Sequence, residues 1–442
     1  MLFKQFLNDD LGCASYLVGD EHAGIAVVVD PPYYIEPVLR EAERKGVRLV
    51  AVLETHTHAD HVSGHGRLAL EHGVSIRVHG AAEAVFPHEP LEEGSEVEVG
   101  EVVLRTLHTP GHRPEHCCFA VIDRSRGEEP WLVLTGDSLF VGDAGRPDLA
   151  VEAREGAEGL FHSLRRLVEL GDGVEVFPGH VAGSLCGAAM SSKASTTIGF
   201  ERRFNPALQG DLADFLDARL GAQPPRPPNM ERIVELNRGE LLGAQPPLER
   251  LDSVPEETIV LDVRPTETFA AGHQPGALGI PVCGSGFATK AGFVLPERPL
   301  VLHAVDEQEA VRAARSLHAV ALFEIVGWQE GGGAEQLEPV SLEELARLLS
   351  EDAVDLLDVR EMDERDESHI PGSQHLPYRT ARAAAEAGLL NGRPVVTICE
   401  SGPRAAIAAS VLQAAGVNAR PVLEGGVATW RGETCSFRRC GG

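Results

Sequence analysis

Two groups of residues in the sequence could carry chemistry, and the first is a set of histidines and aspartates. The segment THTHADH and the later segments TPGH, LTGD and FPGH supply seven potential metal ligands: His56, His58, Asp60, His61, His112, Asp137 and His180. Imidazole and carboxylate groups suit zinc, iron or manganese, and separate loops can converge on one ion. A lone His-x-His pair is usually a pair of surface histidines. Seven candidate ligands, with a glycine beside the ligand in three of the four segments, instead predict a metal centre.

The second group surrounds a single cysteine. In VVTICESGPRAA, residues 395–406, an apolar strand ends at Cys399 and a tight loop leads into an alanine-rich helix. A thiolate at a helix N-terminus has a lowered pKa because it meets backbone N–H groups and the positive end of the helix dipole. The loop offers four candidate binding residues for a terminal sulfur or an oxyanion: Glu400, Ser401, Gly402 and Arg404. We therefore predict that Cys399 is a catalytic nucleophile rather than a buried cysteine at a strand end.

The elements that must position the first group are strands that end at these ligands. Apolar stretches predict strands at 24–30, 47–56, 101–112, 130–140 and 173–180, and amphipathic stretches predict helices at 36–46 and 158–173. Side chains at strand ends and in the following loops are where an α/β scaffold usually presents its chemistry. Residues 204–250 are rich in proline and predict a semi-rigid connector with one short helix at 230–242.

An internal repeat occupies the rest of the chain. Residues 259–282 match residues 354–378, and each copy predicts an α/β unit of about 100 residues. Ala304 of the first copy stands where Cys399 stands in the second, and Cys283 lies in a different loop. We therefore predict that the first copy is catalytically silent and acts as a spacer or a docking surface.

Composition limits the classes of function that remain. The chain has 442 residues and a formal net charge of −28, so nucleic acid is not expected as a partner. No apolar run is long enough to span a membrane, and Asp9 and Asp10 interrupt any N-terminal signal sequence. A cytoplasmic location is expected, where the eight cysteines are thiols, ligands or nucleophiles rather than disulfides. The pattern assigns no role to Cys186, Cys435 or Cys440.

The HxHxDH pattern with its separate His, Asp and His resembles the metallo-β-lactamase superfamily over about residues 1–200. This resemblance implies an αββα sandwich with the metal at one edge of the paired sheets. Within the superfamily, GDSLFVGDAGRPDL (136–149) and PGHVAGSLCG (178–187) resemble the persulfide dioxygenases. That family implies one Fe(II) per N-terminal domain, held by His56, His112 and Asp137. It also implies O₂ as co-substrate and glutathione persulfide or another low-molecular-weight persulfide as substrate.

The residues alone leave two further interpretations open. Because His58, Asp60, His61 and His180 are all present, the site could instead hold two zinc ions, with hydrolysis of a thioester as in glyoxalase II. The other is a sulfur-carrier module with a vestigial metal fold.

Arg146 is the candidate substrate anchor, because a guanidinium can clamp a carboxylate with two hydrogen bonds. In glutathione-using relatives the matching arginine contacts the peptide. The alternative for Arg146 is a salt bridge with Asp143 or Asp148. Ala144 stands where some of those enzymes have a cysteine.

The Cys399 loop, with Asp358, Arg360 and the HIPG turn (369–372), resembles a rhodanese domain over about residues 340–442. The resemblance implies sulfur transfer among persulfide, sulfite and thiosulfate, with Cys399 accepting the sulfane sulfur. A homo-oligomer is compatible with this organisation.

The predicted fold is therefore α/β and multidomain, an αββα sandwich followed by two rhodanese domains. The predicted domains are a dioxygenase domain at 1–203, a connector at 204–250, a silent rhodanese-like domain at 251–335 and an active rhodanese domain at 336–442.

Overall fold

The computed structural model describes residues 1–181, 190–221, 223, 225–390 and 392–436. Cys186 and Cys440 lie outside the described residues. The chain divides into two compact units, Met1–Gln245 with His318–Ala321 and Pro246–Leu317 with Leu322–Gly442. Each unit is mixed α/β, as predicted.

In its described residues, the N-terminal unit contains two six-stranded sheets, each with its strands in sequential order. The first sheet consists of β1 (Leu2–Leu7), β2 (Ala14–Asp20), β3 (Ile25–Val29), β4 (Arg48–Leu53), β5 (Ser75–His79) and β6 (Glu89–Leu91). The second consists of β7 (Glu96–Val99), β8 (Val102–His108), β9 (Cys117–Asp123), β10 (Leu132–Gly136), β11 (Glu175–Pro178) and β12 (Thr196–Thr197).

Helices cover the outer faces of both sheets. The described part of this unit forms α1 (Glu36–Lys45), α2 (His65–His72), α3 (Ala153–Leu167), α4 (Ile198–Phe204), α5 (Leu212–Arg219) and α6 (Met230–Arg238). Successive residues of a strand face opposite sides of a sheet. In β9, Phe119 packs into the core between the sheets, whereas Cys118 packs with Leu160 of α3 on the outer face. In β3, Val27 faces the other sheet and Val28 packs with Val38 of α1. The layers are therefore helix, sheet, sheet, helix.

The helices differ from the prediction mainly at their ends. α3 begins earlier than predicted because Glu152 caps it, accepting hydrogen bonds from the backbone N–H groups of Arg154 and Glu155. α6 ends at Arg238, before the predicted end. α5 lies within the predicted connector, and a capping box between Asp211 and Asp214 starts it.

The part of the C-terminal unit that the structure describes contains two four-stranded parallel sheets, which have the same strand order. The first consists of β13 (Ile259–Asp262), β14 (Leu278–Gly279), β15 (Leu300–Ala304) and β16 (Ile325–Glu330). The second consists of β17 (Asp355–Asp358), β18 (Gln374–His375), β19 (Val395–Ile398) and β20 (Ala419–Pro421). Their helices are α7 (Thr266–Ala271), α8 (Phe287–Val294), α9 (Glu307–Ala319), α10 (Leu342–Ser350), α11 (Met362–Glu367), α12 (Ala381–Glu386) and α13 (Pro403–Ala414). Within the described residues, no helix combines the length and apolar character needed to cross a bilayer.

One hydrophobic core joins the two repeat copies. It includes Leu261 and Leu302 of the first copy together with most of α13, the helix that follows Cys399. Residues 405–412 of α13 are all buried. The backbone N–H of Gly279 donates to Ser410 Oγ at 3.2 Å, which ties α13 to the first copy. A helix that is apolar on all sides needs cover on all sides, and the first copy supplies part of it.

Candidate metal centre and thiol site

The first candidate site lies where four loops leave the two sheets of the N-terminal unit. The loop after β4 carries the HTHADH segment, and the loops after β8, β10 and β11 carry His112, Asp137 and His180. Close packing around Asp137 depends on glycines. Gly136 has φ +47°, and a Cβ there would lie 2.7 Å from His116 Nε2. A Cβ at Gly145 would overlap the Asp137 carbonyl oxygen.

His56, His112 and Asp137 converge on one point. Each offers a ligand atom, and these atoms lie within 4.8 Å of one another. His112 Nε2 is 3.5 Å and His56 Nε2 is 4.0 Å from Asp137 Oδ2. All three side chains are buried. Among the described residues, His56 Nε2 and Asp137 Oδ2 have no hydrogen-bond partner. Buried polar atoms are normally paired, so unpaired atoms facing one point fit a site for a metal ion.

Hydrogen bonds on the far side of each ring leave the Nε2 atoms free. His112 Nδ1 donates to the Arg146 carbonyl oxygen at 2.9 Å. Thr55 Oγ1 donates to the Asp30 carboxylate, so it accepts from His56 Nδ1, 2.9 Å away. With the protons on Nδ1, both Nε2 lone pairs are available to a metal, a common arrangement for histidine ligands.

The charge states also suit a metal. Burial lowers the pKa of His56 and His112, so both imidazoles are neutral near pH 7. Burial acts to raise the pKa of Asp137, but the charge and hydrogen bond of His180 outweigh it and hold that pKa below its usual range. Two neutral imidazoles and one ionised carboxylate are the protonation states in which these groups bind metals.

The outer candidates form a second cluster next to this triad. His180 bridges the two, with Nδ1 2.6 Å from Asp137 Oδ1 and Nε2 2.7 Å from Asp60 Oδ2. Ligand atoms of Asp60, His61, His180 and Cys13 lie within 4.8 Å of one another. Cys13 Sγ donates to Asp60 Oδ2 at 3.3 Å. Sequence reasoning did not select Cys13, which lies in the loop before β2 and far from any ligand motif.

His58 belongs to neither group. Its Nε2 lies 3.2 Å from Asp30 Oδ1 and 3.3 Å from Glu54 Oε2, in a third buried cluster. Burial opposes protonation of His58, but the two carboxylates outweigh it and raise its pKa well above the usual range. A protonated imidazole has no lone pair for a metal.

Two residues that the sequence analysis did not select support the site. His116 Nε2 accepts a hydrogen bond from the Asp137 backbone N–H at 2.9 Å, and burial lowers its pKa to about 3. Asn237 of α6 is buried, and its Nδ2 donates to the carbonyl oxygens of His58 and His61 at 3.0 and 2.8 Å. Its Oδ1 accepts from the Ser63 N–H at 2.9 Å. Asn237 therefore fixes the loop that carries HTHADH.

We expect Asn237→Asp to weaken metal binding without removing any ligand. The change replaces two N–H donors by a charged oxygen that faces the carbonyl oxygens of His58 and His61. Loss of outer hydrogen bonds around a metal typically costs about 10- to 100-fold in affinity. The measurement is metal retained against a competing chelator, with the exposed Asn418→Asp as control. Unchanged retention in Asn237→Asp would contradict this role.

Arg146 is engaged in a salt bridge, the alternative foreseen for it. Its Nε and Nη2 donate to the two carboxylate oxygens of Asp148 at 2.7 and 2.9 Å. Arg226, from the proline-rich segment, binds the same carboxylate at 2.8 Å. Contact of Arg146 with a substrate stays a prediction.

The second candidate site is the loop after β19. Cys399 is buried, and its Sγ accepts a hydrogen bond from the Gly402 backbone N–H at 3.1 Å. Gly402 has φ +113°, and α13 begins directly after it. Of the other loop residues, Glu400 binds Arg360 at 2.8 Å, and both Nη atoms of Arg404 bind Glu364 at 2.5 and 2.6 Å. Ser401 is exposed.

The matching loop of the first copy is built differently. Ala304 ends β15, and the Val305 backbone N–H donates to Glu309 Oε2 at 2.7 Å. The Val305 backbone N–H is therefore occupied by the Glu309 carboxylate, whereas in the second copy the Gly402 N–H donates to the Cys399 sulfur.

The comparisons with known proteins match two parts of the chain. A family model described as the metallo-beta-lactamase superfamily matches residues 8–180, and one described as the rhodanese-like domain matches residues 341–433. The chain is 30% identical over 245 residues to the human mitochondrial persulfide dioxygenase ETHE1, covering 54% of this chain and 87% of the relative. Its identity to the bovine protein of the same name is 29%, with the same coverage.

A solved structure of a metallo-beta-lactamase from Staphylococcus aureus matches with a TM-score of 0.69 and 29% identity. The match covers 75% of this chain and 98% of that chain. These comparisons identify one rhodanese domain rather than the predicted two. The sequence of the first copy retains the Asp262, Arg264 and His273 positions but lacks the Cys399 loop. The chain therefore belongs to the persulfide dioxygenase family of the metallo-β-lactamase superfamily and carries a rhodanese-like domain at residues 341–433.

Proposed function

We propose that the N-terminal unit is an Fe(II)-dependent persulfide dioxygenase. The overall reaction converts a persulfide RSSH, O₂ and water into the thiol RSH and sulfite, with release of two protons. The observation that carries the proposal is the convergence of His56 Nε2, His112 Nε2 and Asp137 Oδ2, two of which lack partners among the described residues.

The donor set favours one iron over a zinc pair. Two histidines and one carboxylate with open positions are typical of non-haem Fe(II) oxygenases. Iron held there would supply the chemistry of O₂ activation. A dinuclear hydrolase would use His58 as a ligand, but His58 is paired with Asp30 and Glu54.

The protein residues orient these ligands and keep them in the binding state. The Arg146 carbonyl orients His112, and His180 holds Asp137 through a hydrogen bond. The Asp137 backbone is held in turn by His116. Burial of all three ligand side chains excludes bulk water from them.

We further propose that Cys399 transfers sulfane sulfur. Its thiolate attacks the outer sulfur of a persulfide, the S–S bond breaks, and the carrier leaves as a thiolate. Sulfite then attacks the outer sulfur held on Cys399, which yields thiosulfate and restores the thiolate. The reverse sequence moves sulfur from thiosulfate to a thiol. The Gly402 N–H, which contacts Sγ, supports a negatively charged sulfur in either direction.

We propose that residues 251–335, whose sheet has the same strand order as the sheet formed by β17 to β20, transfer no sulfur, because Ala304 stands at the position of Cys399. Ala304→Cys is then expected to add a thiol but no sulfur transfer. Glu309 already accepts the Val305 N–H, and its carboxylate would repel a thiolate. The measurement is transfer from thiosulfate in a Cys399→Ser background. Recovery of sulfur transfer would show that the loop after β15 can still support a cysteine nucleophile.

The test of the dioxygenase proposal is metal content together with oxygen uptake by the purified full chain. One iron per chain and O₂ uptake on addition of glutathione persulfide, with sulfite as product, support it. Two zinc ions per chain with thioester hydrolysis and no O₂ uptake would overturn it.

A further inference from the structure

Arg404, at the start of α13, is held by a carboxylate beside the Cys399 loop. Both of its Nη atoms donate to Glu364 of α11, at 2.5 and 2.6 Å. Burial acts to lower the pKa of Arg404, but the hydrogen bond and the charge of Glu364 outweigh it and raise that pKa. The charge of Cys399 adds to the rise, so the guanidinium lies within electrostatic reach of the sulfur. A guanidinium near the Cys399 sulfur is therefore already paired within the chain.

Arg360 is paired in the same way. Its Nε and Nη2 donate to Asp358 at 3.0 and 2.8 Å, and Nη2 also donates to the Ser368 carbonyl oxygen at 2.6 Å. Its Nη1 donates at 2.8 Å to Glu400, the residue that follows Cys399. A second carboxylate thus engages a guanidinium beside the loop.

The charges of these side chains cancel. Arg365 donates to Asp358 at 3.3 Å and completes a set of three guanidinium groups and three carboxylates. The members of the set are Arg360, Arg365, Arg404, Asp358, Glu364 and Glu400. The Asp358 side chain is 1% exposed, whereas those of Glu364 and Glu400 are 31% and 45% exposed. The two glutamates are therefore the carboxylates of the set that a substrate meets as it approaches from solvent.

We propose that Glu364 and Glu400 select the sulfur donor at Cys399, disfavouring doubly charged thiosulfate relative to donors that bring one negative charge to the loop. This proposal rests on the proposed sulfur transfer and adds the residues that set its specificity. The Coulomb energy is proportional to the charge of the donor, so each carboxylate repels thiosulfate about twice as strongly as it repels a monoanion. Each carboxylate also occupies a guanidinium that could otherwise bind an oxyanion with two hydrogen bonds.

Two donors that differ by one charge test this selection. The Cys399 thiolate attacks the outer sulfur of thiosulfate, the bond between the two thiosulfate sulfur atoms breaks, and sulfite leaves. Methanethiosulfonate gives up its outer sulfur in the same way and leaves as methanesulfinate, but it carries one negative charge instead of two. Cyanide then removes the sulfur from Cys399 as thiocyanate, which restores the thiolate and provides the same readout for both donors.

We expect Glu364→Gln and Glu400→Gln, each measured in the full chain, to raise kcat/KM about tenfold for thiosulfate and about threefold for methanethiosulfonate. A factor of about three per unit charge lies within the range of exposed ion pairs. The ratio of the two kcat/KM values is decisive, because altered ionisation of Cys399 would change both donors equally. Glutamine at position 364 keeps an oxygen that can accept from the Glu361 N–H at the start of α11.

Glu351→Gln is the matched control. It breaks an exposed ion pair with Arg347 on α10 and should leave the ratio unchanged. A ratio that stays unchanged or falls in both Glu364→Gln and Glu400→Gln would overturn the selection while leaving sulfur transfer intact. Transfer from neither donor by the unchanged chain would contradict the proposed sulfur transfer at Cys399, and this proposal with it.

Discussion

His112→Ala is expected to yield a chain that no longer retains iron and whose persulfide-dependent O₂ uptake falls to background. The substitution removes one of the three atoms that converge in the triad and leaves His56 and Asp137. Loss of an outer partner alone typically costs up to about 100-fold in metal affinity, and loss of a ligand costs more. The measurements are iron per chain after desalting and O₂ consumption with glutathione persulfide.

Controls separate this effect from general misfolding. His72→Ala changes an exposed histidine at the end of α2 and should leave iron content and O₂ uptake unchanged. Sulfur transfer at Cys399 should persist in His112→Ala, because the triad and Cys399 belong to different units of the chain. An iron-loaded and active His112→Ala protein would remove His112 from the ligand set.

Local patterns predicted seven candidate ligands, and the resemblance to the persulfide dioxygenases singled out His56, His112 and Asp137, whose ligand atoms lie within 4.8 Å of one another. HTHADH, TPGH and LTGD each follow an apolar strand, and parallel strands such as β10 and β11 place their following loops at the same edge of a sheet. The mixed α/β fold followed from the same alternation of strands and helices. These features depend on short stretches of sequence, which is why they can be read without a structure.

Features that depend on distant residues could not be predicted in this way. Asn237 lies more than 170 positions from the carbonyl oxygens that it holds. His58 stands at a position of the HTHADH motif where a metal ligand is expected. Its ion pairs with Asp30 and Glu54 become visible in the structure alone. Cys13 meets the outer cluster because the loop before β2 lies beside the His180 loop, where Cys13 and His180 form a backbone bridge.

The repeat shows both the strength and the limit of such reasoning. Matching segments predicted an α/β unit in each copy, and the sheets of the two copies have the same strand order. They gave no sign that Glu309 would accept the backbone amide beside Ala304, or that α13 would be enclosed in a core shared by both copies. Both features arise from packing that sequence spacing does not encode.

Cys399→Ser is expected to abolish sulfur transfer from thiosulfate to a thiol while iron content and O₂ uptake remain close to those of the unchanged chain. A serine hydroxyl fits the same loop, and Gly402 can still donate to it. It is not ionised near neutral pH, however, and it cannot carry sulfane sulfur. The product distribution should change as well. With excess persulfide, we expect the unchanged chain to convert part of its sulfite into thiosulfate and the variant to accumulate sulfite.

Cysteine substitutions elsewhere make this assignment specific. Cys283→Ser and Cys435→Ser change exposed cysteines of the same unit and are expected to leave sulfur transfer intact. If Cys399→Ser lost both sulfur transfer and O₂ uptake, the proposal of two separate sites would be contradicted, because the Cys399 loop would then be needed for O₂ uptake as well. Transfer that survives in Cys399→Ser but is lost in Cys283→Ser would instead assign the nucleophile to the first copy. We expect neither outcome, because Cys399 lies just before a buried helix and the Gly402 backbone N–H donates to its sulfur.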